Sequence, residues 1–313
     1  MPERRALVVG GRGFIGRHVS RCLSARGVSV RCFDLPESRL VSVPPADPRV
    51  EQLTGDLLDE ASLNLAVEGC HECYHLASLT VPSNSNEDPM FDVRANLIGT
   101  LRLLEACVRF GVRRVVFASS GGTVYGAAKT LVDESHPTDP TCSYGIVKLA
   151  VEKYLALYRQ IHGLDGIVLR IANPYGPGQG LAGSQGAVGV FMRRVMRSEP
   201  IQIWGDGSFV RDYVYVGDVA EAFALAGEYE GPHRIFNVGS GIGRSLVEVL
   251  REVEKVTGIA AKVDFVPSRG FDVPFNVLDV RRAASHLPWS PRVDFRAGLS
   301  EAHRWMRNEI FAG

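Results

Sequence analysis

The chain has 313 residues, 45% hydrophobic and 22% charged, with 35 basic and 35 acidic side chains in balance. Such a chain can bury a sizeable core in one large domain or two coupled ones. Zero net charge gives no electrostatic reason to expect nucleic acid or an anionic membrane surface as a partner, and no apolar run is long enough to span a bilayer. The first residues pass almost at once into a strand-like segment, so no signal peptide is expected and the default location is cytoplasmic. The cysteines are scattered, which suits a reducing compartment. Cys70-His71-Glu72-Cys73 has no second ligand pair at zinc spacing, so its thiols read as core or surface groups and no metal is expected.

In chain order, 5–10 reads as a short apolar strand, 13–26 as a helix with apolar residues at Phe14, Ile15, Val19 and Leu23, and 28–33 as a second strand. A third strand is expected at 50–53, a helix at 59–68 and a strand at 72–76. A long helix follows over 90–110, closed by Gly111, then the most apolar strand at 112–118. A second long helix spans 143–162, and another strand 167–171. Continuous β-branched strands separated by helices predict a parallel sheet covered on both faces, the doubly wound α/β pattern. Beyond 173 the segments shorten: helices at 190–197, 218–227, 246–257 and 296–310, and strands at 201–204, 212–216, 235–238 and 262–266. The expected organisation is a dinucleotide-binding domain over 1–173 and a smaller mixed α/β lobe over 174–313, with some later elements returning to the sheet.

Two local patterns carry chemistry. Gly10-Gly11-Arg12-Gly13-Phe14-Ile15-Gly16 joins the first strand to the first helix, and glycines at 10, 13 and 16 let backbone approach a pyrophosphate at the helix's positive end. Asp34, at the end of the second strand, is placed to accept hydrogen bonds from an adenosine ribose and to repel a 2′-phosphate, favouring NAD over NADP, although Arg12 and Arg39 could soften that choice. Tyr144 and Lys148 lie four residues apart at the start of a helix, on one face. A phenol near pKa 10 needs a shift of about 3 units to act as a base near neutrality; Lys148 is expected to supply part of it and a bound nicotinamide cation more.

Together these residues resemble the extended short-chain dehydrogenase/reductases, and more narrowly the nucleotide-sugar 4-epimerases of the UDP-glucose/UDP-N-acetylglucosamine type. The resemblance runs along nearly the whole chain: the glycine turn, Gly55-Asp56-Leu57, His75-Leu76-Ala77, Asn96-Leu97-Ile98-Gly99-Thr100, the strand-end loop from Ser119 to Gly126, Tyr144 with Lys148, 170–177, 211–218, 269–272 and Leu287-Pro288-Trp289-Ser290-Pro291. It implies a Rossmann fold with NAD held by the glycine turn (Gly10, Gly13, Phe14, Ile15, Gly16) and Asp34. Asp56 and Leu57 then lie by the adenine, Leu76 and Ala77 beside the cofactor, and Asn96, Ser119, Tyr144, Lys148 and Pro174 complete the cofactor site. Tyr144 is the implied base, Lys148 its partner, and Ser120 or Thr123 the assisting hydroxyl. Asn173, Arg211, Arg269 and Asp272 are the implied contacts to a UDP-sugar, and a homodimer is implied by the two long helices. One departure stands out. The family's usual Ser or Thr three residues before the Val of Val-Tyr-Gly is Gly121 here; Ser120 and Thr123 flank it, with Thr123 slightly preferred. Dehydratase relatives carry an Asp-Glu pair in this loop, and decarboxylating relatives a Glu, where this chain has Gly122-Thr123; Asp133-Glu134 lies beyond it and is expected to cap a turn. A net reductase, or a non-catalytic dinucleotide sensor on the same fold, are the remaining alternatives.

Overall fold

The apolar runs assemble into a parallel sheet in a computed structural model that describes residues 4–36, 49–179, 186–267 and 273–311. Strands β1 (Arg5–Val9), β2 (Ser29–Asp34), β3 (Val50–Thr54), β4 (Glu72–His75), β5 (Arg114–Ser120) and β6 (Asp165–Ile171) come from the first half. After β7 (Asn173–Tyr175), β8 (Pro200–Trp204) and β9 (Val210–Tyr215), strand β10 (Ile235–Val238) returns to the sheet's edge beside β6. Among the described residues the sheet has seven strands in the order β10-β6-β5-β4-β1-β2-β3. The order reverses between β1 and β4, and ligands of doubly wound sheets bind outside the carboxyl ends of the strands at such a point.

Each face of the sheet is sealed by helices whose apolar residues recur at helical spacing. Helix α1 (Phe14–Ala25) puts Val19 and Leu23 on one face, and helices α2 (Glu60–Val67), α4 (Gly99–Arg109) and α5 (Ser143–His162) belong to the other, with the short α3 (Pro89–Asp92) against α5. There Leu63, Leu103, Leu104, Val151 and Leu155 share a core with Leu7, Val115 and Phe117. Arg31, itself buried, donates to the carbonyls of Leu65, Ala66 and Glu68 and so terminates α2.

The helix expected over 90–110 departs from its pattern. Between α3 and α4 the chain takes a π-helical course over Val93–Ile98. Polar demands replace the regular register there: Asn96 accepts from the Leu79 amide and donates to Thr80 and Asp92, while Thr100 donates to the Asn96 carbonyl. Wider turns of this kind gather at functional sites.

The remaining elements are α6 (Ala187–Met196), α7 (Val216–Glu228), β11 (Gly243–Ser245), α8 (Leu246–Thr257), β12 (Lys262–Val266), β13 (Phe275–Asn276), α9 (Arg281–His286) and α10 (Phe295–Phe311). β9 pairs with β7, β11 and β13, and β8 with β12. Helices α6, α8 and α10 pack around Met192, Val249, Leu299 and Met306. Helix α7 returns to the sheet and packs on α1. The Leu287–Pro291 phrase has a docking role: the buried Trp289 indole donates to the Asp218 carbonyl, and the Asp218 carboxylate accepts from the amides of Arg292 and Val293. No helix among the described residues is long and apolar enough to cross a membrane.

Glu152 on α5 and Arg170 on β6 form a buried pair, with Nη2 to Oε2 at 2.6 Å and side chains only 2% and 3% exposed. Removing one partner strands the other charge in the core. The Arg170→Met variant is therefore expected to lose about 3–5 kcal/mol of stability, read from its urea unfolding midpoint.

Candidate active site

The glycine turn closes because side chains cannot fit in it. Gly10 has φ +80°, and a Cβ there would meet the Ala77 nitrogen at 2.7 Å; one on Gly16 would meet the Gly10 carbonyl oxygen at 2.0 Å. Gly13 precedes α1 with no side-chain cap, and the helix carries no acidic residue in its first turn. Its free N–H groups and positive dipole end are thus open to an anion. Phe14 and Ile15 follow at once, Ile15 packing against the core beneath. Asp34, ending β2, is braced toward this turn: its carboxylate accepts from the backbone of Arg12 at 3.0 Å and of Leu35 at 2.9 Å. At the same edge Asp56 accepts from the Leu58 amide, Leu57 packs on Gly99, the Leu76 amide donates to the Val9 carbonyl, and Ala77 backs Gly10. A cradle that a Cβ would fill, an uncompensated helix end and a fixed carboxylate fit a dinucleotide with a free ribose.

Tyr144 and Lys148 stand on the first turns of α5, facing the carboxyl ends of β4 and β5. Lys148 is buried, and its Nζ donates to the Ala118 carbonyl at 2.8 Å. The ammonium lies over Phe117, 4.7 Å from the ring centre, and 5.5 Å from the ring of Tyr144. Burial lowers Lys148 to about 8, with Asp92 and Glu152 pulling upward. Within the protein's own groups, the Lys148 charge does not offset the burial of the Tyr144 phenol. Enclosure pushes the Tyr144 phenol above its ordinary value, and electrostatic interaction with Cys142 and Asp92 adds to the rise. The physical reason is geometric: the ammonium's hydrogen bond goes to a backbone carbonyl, leaving the phenol's desolvation uncompensated within the protein.

The loop between β5 and α5 carries the candidate hydroxyls. Ser119 donates to Glu152 at 2.5 Å. Thr123 Oγ1 is buried without a hydrogen-bond partner among the described residues, and the loop carrying it abuts Gly145, next to Tyr144, where a Cβ would meet Thr123 Cβ at 3.2 Å. Ser120 is half-buried at the end of β5. At Gly121 a Cβ would meet Leu278 Cδ1 at 2.6 Å. Asp133 accepts from Ser135 and His136, the turn expected of it, and Glu134 accepts from the Asn237 amide and pairs with Arg282, so both carboxylates are engaged beyond the loop.

Asn96 spends its side chain on Leu79, Thr80 and Asp92. Asn173 donates to the Asp212 carbonyl, the Pro174 carbonyl accepts from Gln179, and Arg211 lies on β9 opposite Arg244, donating to the Val210 carbonyl. Arg269 and Asp272, like Arg39, fall outside the described residues. Two groups escaped sequence reasoning. Asp92 meets Tyr144 and Lys148 in one cavity, where its only outward signal was a spacing of four from Asn96. Glu152, four beyond Lys148, braces the strand end through Ser119 and Arg170.

These features define an NAD-dependent enzyme of the short-chain dehydrogenase/reductase type. The chain belongs to the NAD dependent epimerase/dehydratase family, whose model matches residues 6–239. It is 36% identical over 310 residues to a UDP-glucose 4-epimerase of Mycolicibacterium smegmatis, covering 97% of this chain and 99% of that one. Among solved structures it is similar to the Thermotoga maritima UDP-glucose 4-epimerase with UDP-glucose, at 34% identity and TM-score 0.92 over 98% and 99% of the two chains. It is likewise similar to the Thermus thermophilus UDP-glucose 4-epimerase complex with NAD, at 38% identity and TM-score 0.89 over 97% and 99%.

His75 adds a pH dependence. Burial lowers it to about 3, with the Lys148 charge acting the same way; Nε2 meets Thr100 at 2.8 Å and Nδ1 is buried without a partner among the described residues. A folded-state pKa below the unfolded value means that the unfolded chain takes up the proton first. The stability His75 contributes is therefore complete above about pH 6.5 and falls by about 1.4 kcal/mol per pH unit on acidification toward 3. In His75→Asn that part of the acid dependence should vanish from chemical unfolding curves.

Proposed function

We propose that this protein is a nucleotide-sugar 4-epimerase acting on a UDP-hexose through a transient 4-keto sugar. One observation carries the reading: Tyr144 and Lys148 share a helix face beside a loop whose hydroxyl-bearing Thr123 has no protein partner among the described residues, while Gly122 and Thr123 stand where elimination would need carboxylates and Asp133 and Glu134 are engaged beyond the loop. The relatives named as UDP-glucose 4-epimerases support it.

Bound NAD would supply a hydride acceptor able to return the hydride, so that the reaction would have no net redox change. Gly10, Gly13 and Gly16 admit the pyrophosphate, and Asp34 accepts from the adenosine ribose, which selects against a 2′-phosphate. Tyr144 takes the proton from the sugar 4-hydroxyl and returns it to the 4-keto oxygen after the sugar has turned. Lys148 orients ribose hydroxyls and shares its charge with the phenolate. Thr123, with Ser120 as the second candidate, bridges the substrate oxygen to Tyr144. Arg211 anchors the diphosphate through its planar fork while the hexose rotates, and Asn173 lies beside it; Arg269 and Asp272 complete this set. Residues 1–173 thus hold the dinucleotide and 174–313, apart from the elements returned to the sheet, the nucleotide sugar.

The test is C4 inversion in a panel of UDP-hexoses followed by NMR. Tyr144→Phe should lower turnover by at least about 10²-fold, and Thr123→Ala should cost more than Ser120→Ala. A panel with no inverted product, or full turnover by Tyr144→Phe, would overturn the assignment. A dinucleotide sensor would invert none of them.

We also propose a homodimer. Met90 (78% exposed), Phe91, Ile98, Ile146, Leu157 and Ile161 leave an apolar surface on the Pro89–Arg109 stretch and α5, more than isolated surface apolar residues require. Sedimentation equilibrium should return twice the 34.1 kDa chain mass, and Ile161→Glu should shift it toward one.

A further inference from the structure

Asp92 is fully buried at the end of α3. Its Oδ1 accepts from Thr80 Oγ1 and from Asn96 Nδ2, each at 2.7 Å, and its Oδ2 accepts from Ser143 Oγ at 2.7 Å. All three donors are neutral. A buried carboxylate held in this way gives up solvation that neutral hydrogen bonds only partly restore, and well-packed apolar residues serve stability as well or better. Stability is therefore a poor account of it, and its position suggests another. Ser143 is the residue immediately before Tyr144 and opens the helix that carries Tyr144 and Lys148. The Ser143 amide is pinned as well, to Asn86 at 2.9 Å. Asp92 also lines the cavity containing Tyr144, Lys148 and His75.

We propose that Asp92 is a positioning residue for the Tyr144/Lys148 pair: through Ser143 it fixes the first turn of α5, and its negative charge holds the resting pair as phenol and ammonium. The assignment of a reacting role to that pair rests on the reading above. Other ionisable groups reach one member of the pair each, Cys142 also raising the phenol and Glu152 also supporting the ammonium, whereas Asp92 acts on both. Glu152 is one turn further along α5 and is neutralised by Arg170. His75, on β4, is kept neutral by burial, and Cys142 flanks Ser143 at the helix start, half-buried. Asp92 thus sits where its charge reaches both members, raising the phenol and supporting the ammonium against burial.

The test compares Asp92→Asn, Asp92→Glu and Ser143→Ala in the NAD-loaded protein. The ultraviolet phenolate signal of Tyr144 is isolated by subtracting the same titration of Tyr144→Phe, and the acid limb of kcat/KM is followed alongside. Asp92→Asn keeps the shape and removes the charge, so phenolate should form at about one pH unit lower, a tenfold change in proton affinity, with the acid limb moving the same way. Asp92→Glu keeps the charge and should leave the onset in place. Ser143→Ala cuts the mechanical link but keeps the charge: kcat should fall about tenfold with KM and onset unmoved. An onset unmoved in Asp92→Asn, or an unchanged kcat in Ser143→Ala, overturns the proposal. Should Asp92→Asn not fold, the Ser143→Ala arm decides alone. The phenolate titration needs no substrate. If it shifts while no UDP-hexose of the panel is inverted, the epimerase reading has failed and the electrostatic role of Asp92 stands.

Discussion

A buried ammonium under the carboxyl edge of the sheet is the constraint from which the site follows. Lys148 is among the buried charged side chains, and it remains in place because its Nζ meets the Ala118 carbonyl at 2.8 Å. The pairing of β4 with β5 stops at Phe117, one residue before Ala118. The bond ties α5 to the centre of the sheet at the height where the strand order reverses. It fixes where the first turn of α5 sits, and hence where Tyr144 meets the glycine turn and the β5–α5 loop. Phe117 beneath the ammonium and Glu152 one turn on complete its surroundings. Without that anchor, apolar packing through Val147, Val151 and Leu155 would still hold α5 to the sheet, but would not specify the rotation that presents the phenol.

Electrostatics of the same pocket point to a base that is off at rest. Enclosure raises the phenol, Asp92 and Cys142 raise it further, and the lysine spends its hydrogen bond on backbone. The spacing of four correctly places the two side chains on one face, but it carries no information about which acceptor the ammonium chooses. A phenol that ionises only when its surroundings change would have one advantage for the proposed epimerisation, which must run reversibly on both faces of a sugar. In the proposed epimerisation the same oxygen would have to take a proton and give it back, and a phenolate of permanently low proton affinity would be a weak base for the first of these steps.

What the sequence made legible was whatever local pattern encodes. Alternating strands and helices, the glycine turn, Asp34 at a strand end and the Tyr144/Lys148 spacing are short-range features, and the sheet forms around them. Illegible were features that depend on polar contacts between distant segments. The wide turn over Val93–Ile98 sits in a stretch whose apolar spacing fits an ordinary helix; it exists because Asp92 and Asn96 reach back 12 and 16 residues to the loop at Thr80. The Glu152–Arg170 pair joins a helix to a strand and leaves no trace in either one's periodicity. The short β7, β11 and β13 lack enough residues for alternation to show, and β10 gave no sign that it would rejoin the first sheet rather than the lobe. The strand pairings of β10 follow instead from packing, with Asn237 buried between Tyr125, Val132 and Asp279.

Gly121 shows how one packing constraint can relocate chemistry. A side chain at this position would point at Leu278, which is itself fully buried, and would approach the Arg170 carbonyl at 3.2 Å. The loop is drawn in further by Asn276, whose side-chain amide donates to the Gly121 carbonyl. A serine there would have to displace the segment that links β13 to α9, a cost of the order of 1–3 kcal/mol for overpacking. With that position closed, an assisting hydroxyl can come only from a neighbour in the loop. Ser119 points inward to Glu152, and Ser120 ends the strand. Thr123 stands against the helix start with its oxygen desolvated and unbonded among the described residues, a state that costs about 1–3 kcal/mol in the protein alone. A substrate hydroxyl arriving there would remove that penalty. The same residue would then be favoured twice, once by being the group that the loop leaves free and once by having an unmet hydrogen bond for a ligand to satisfy.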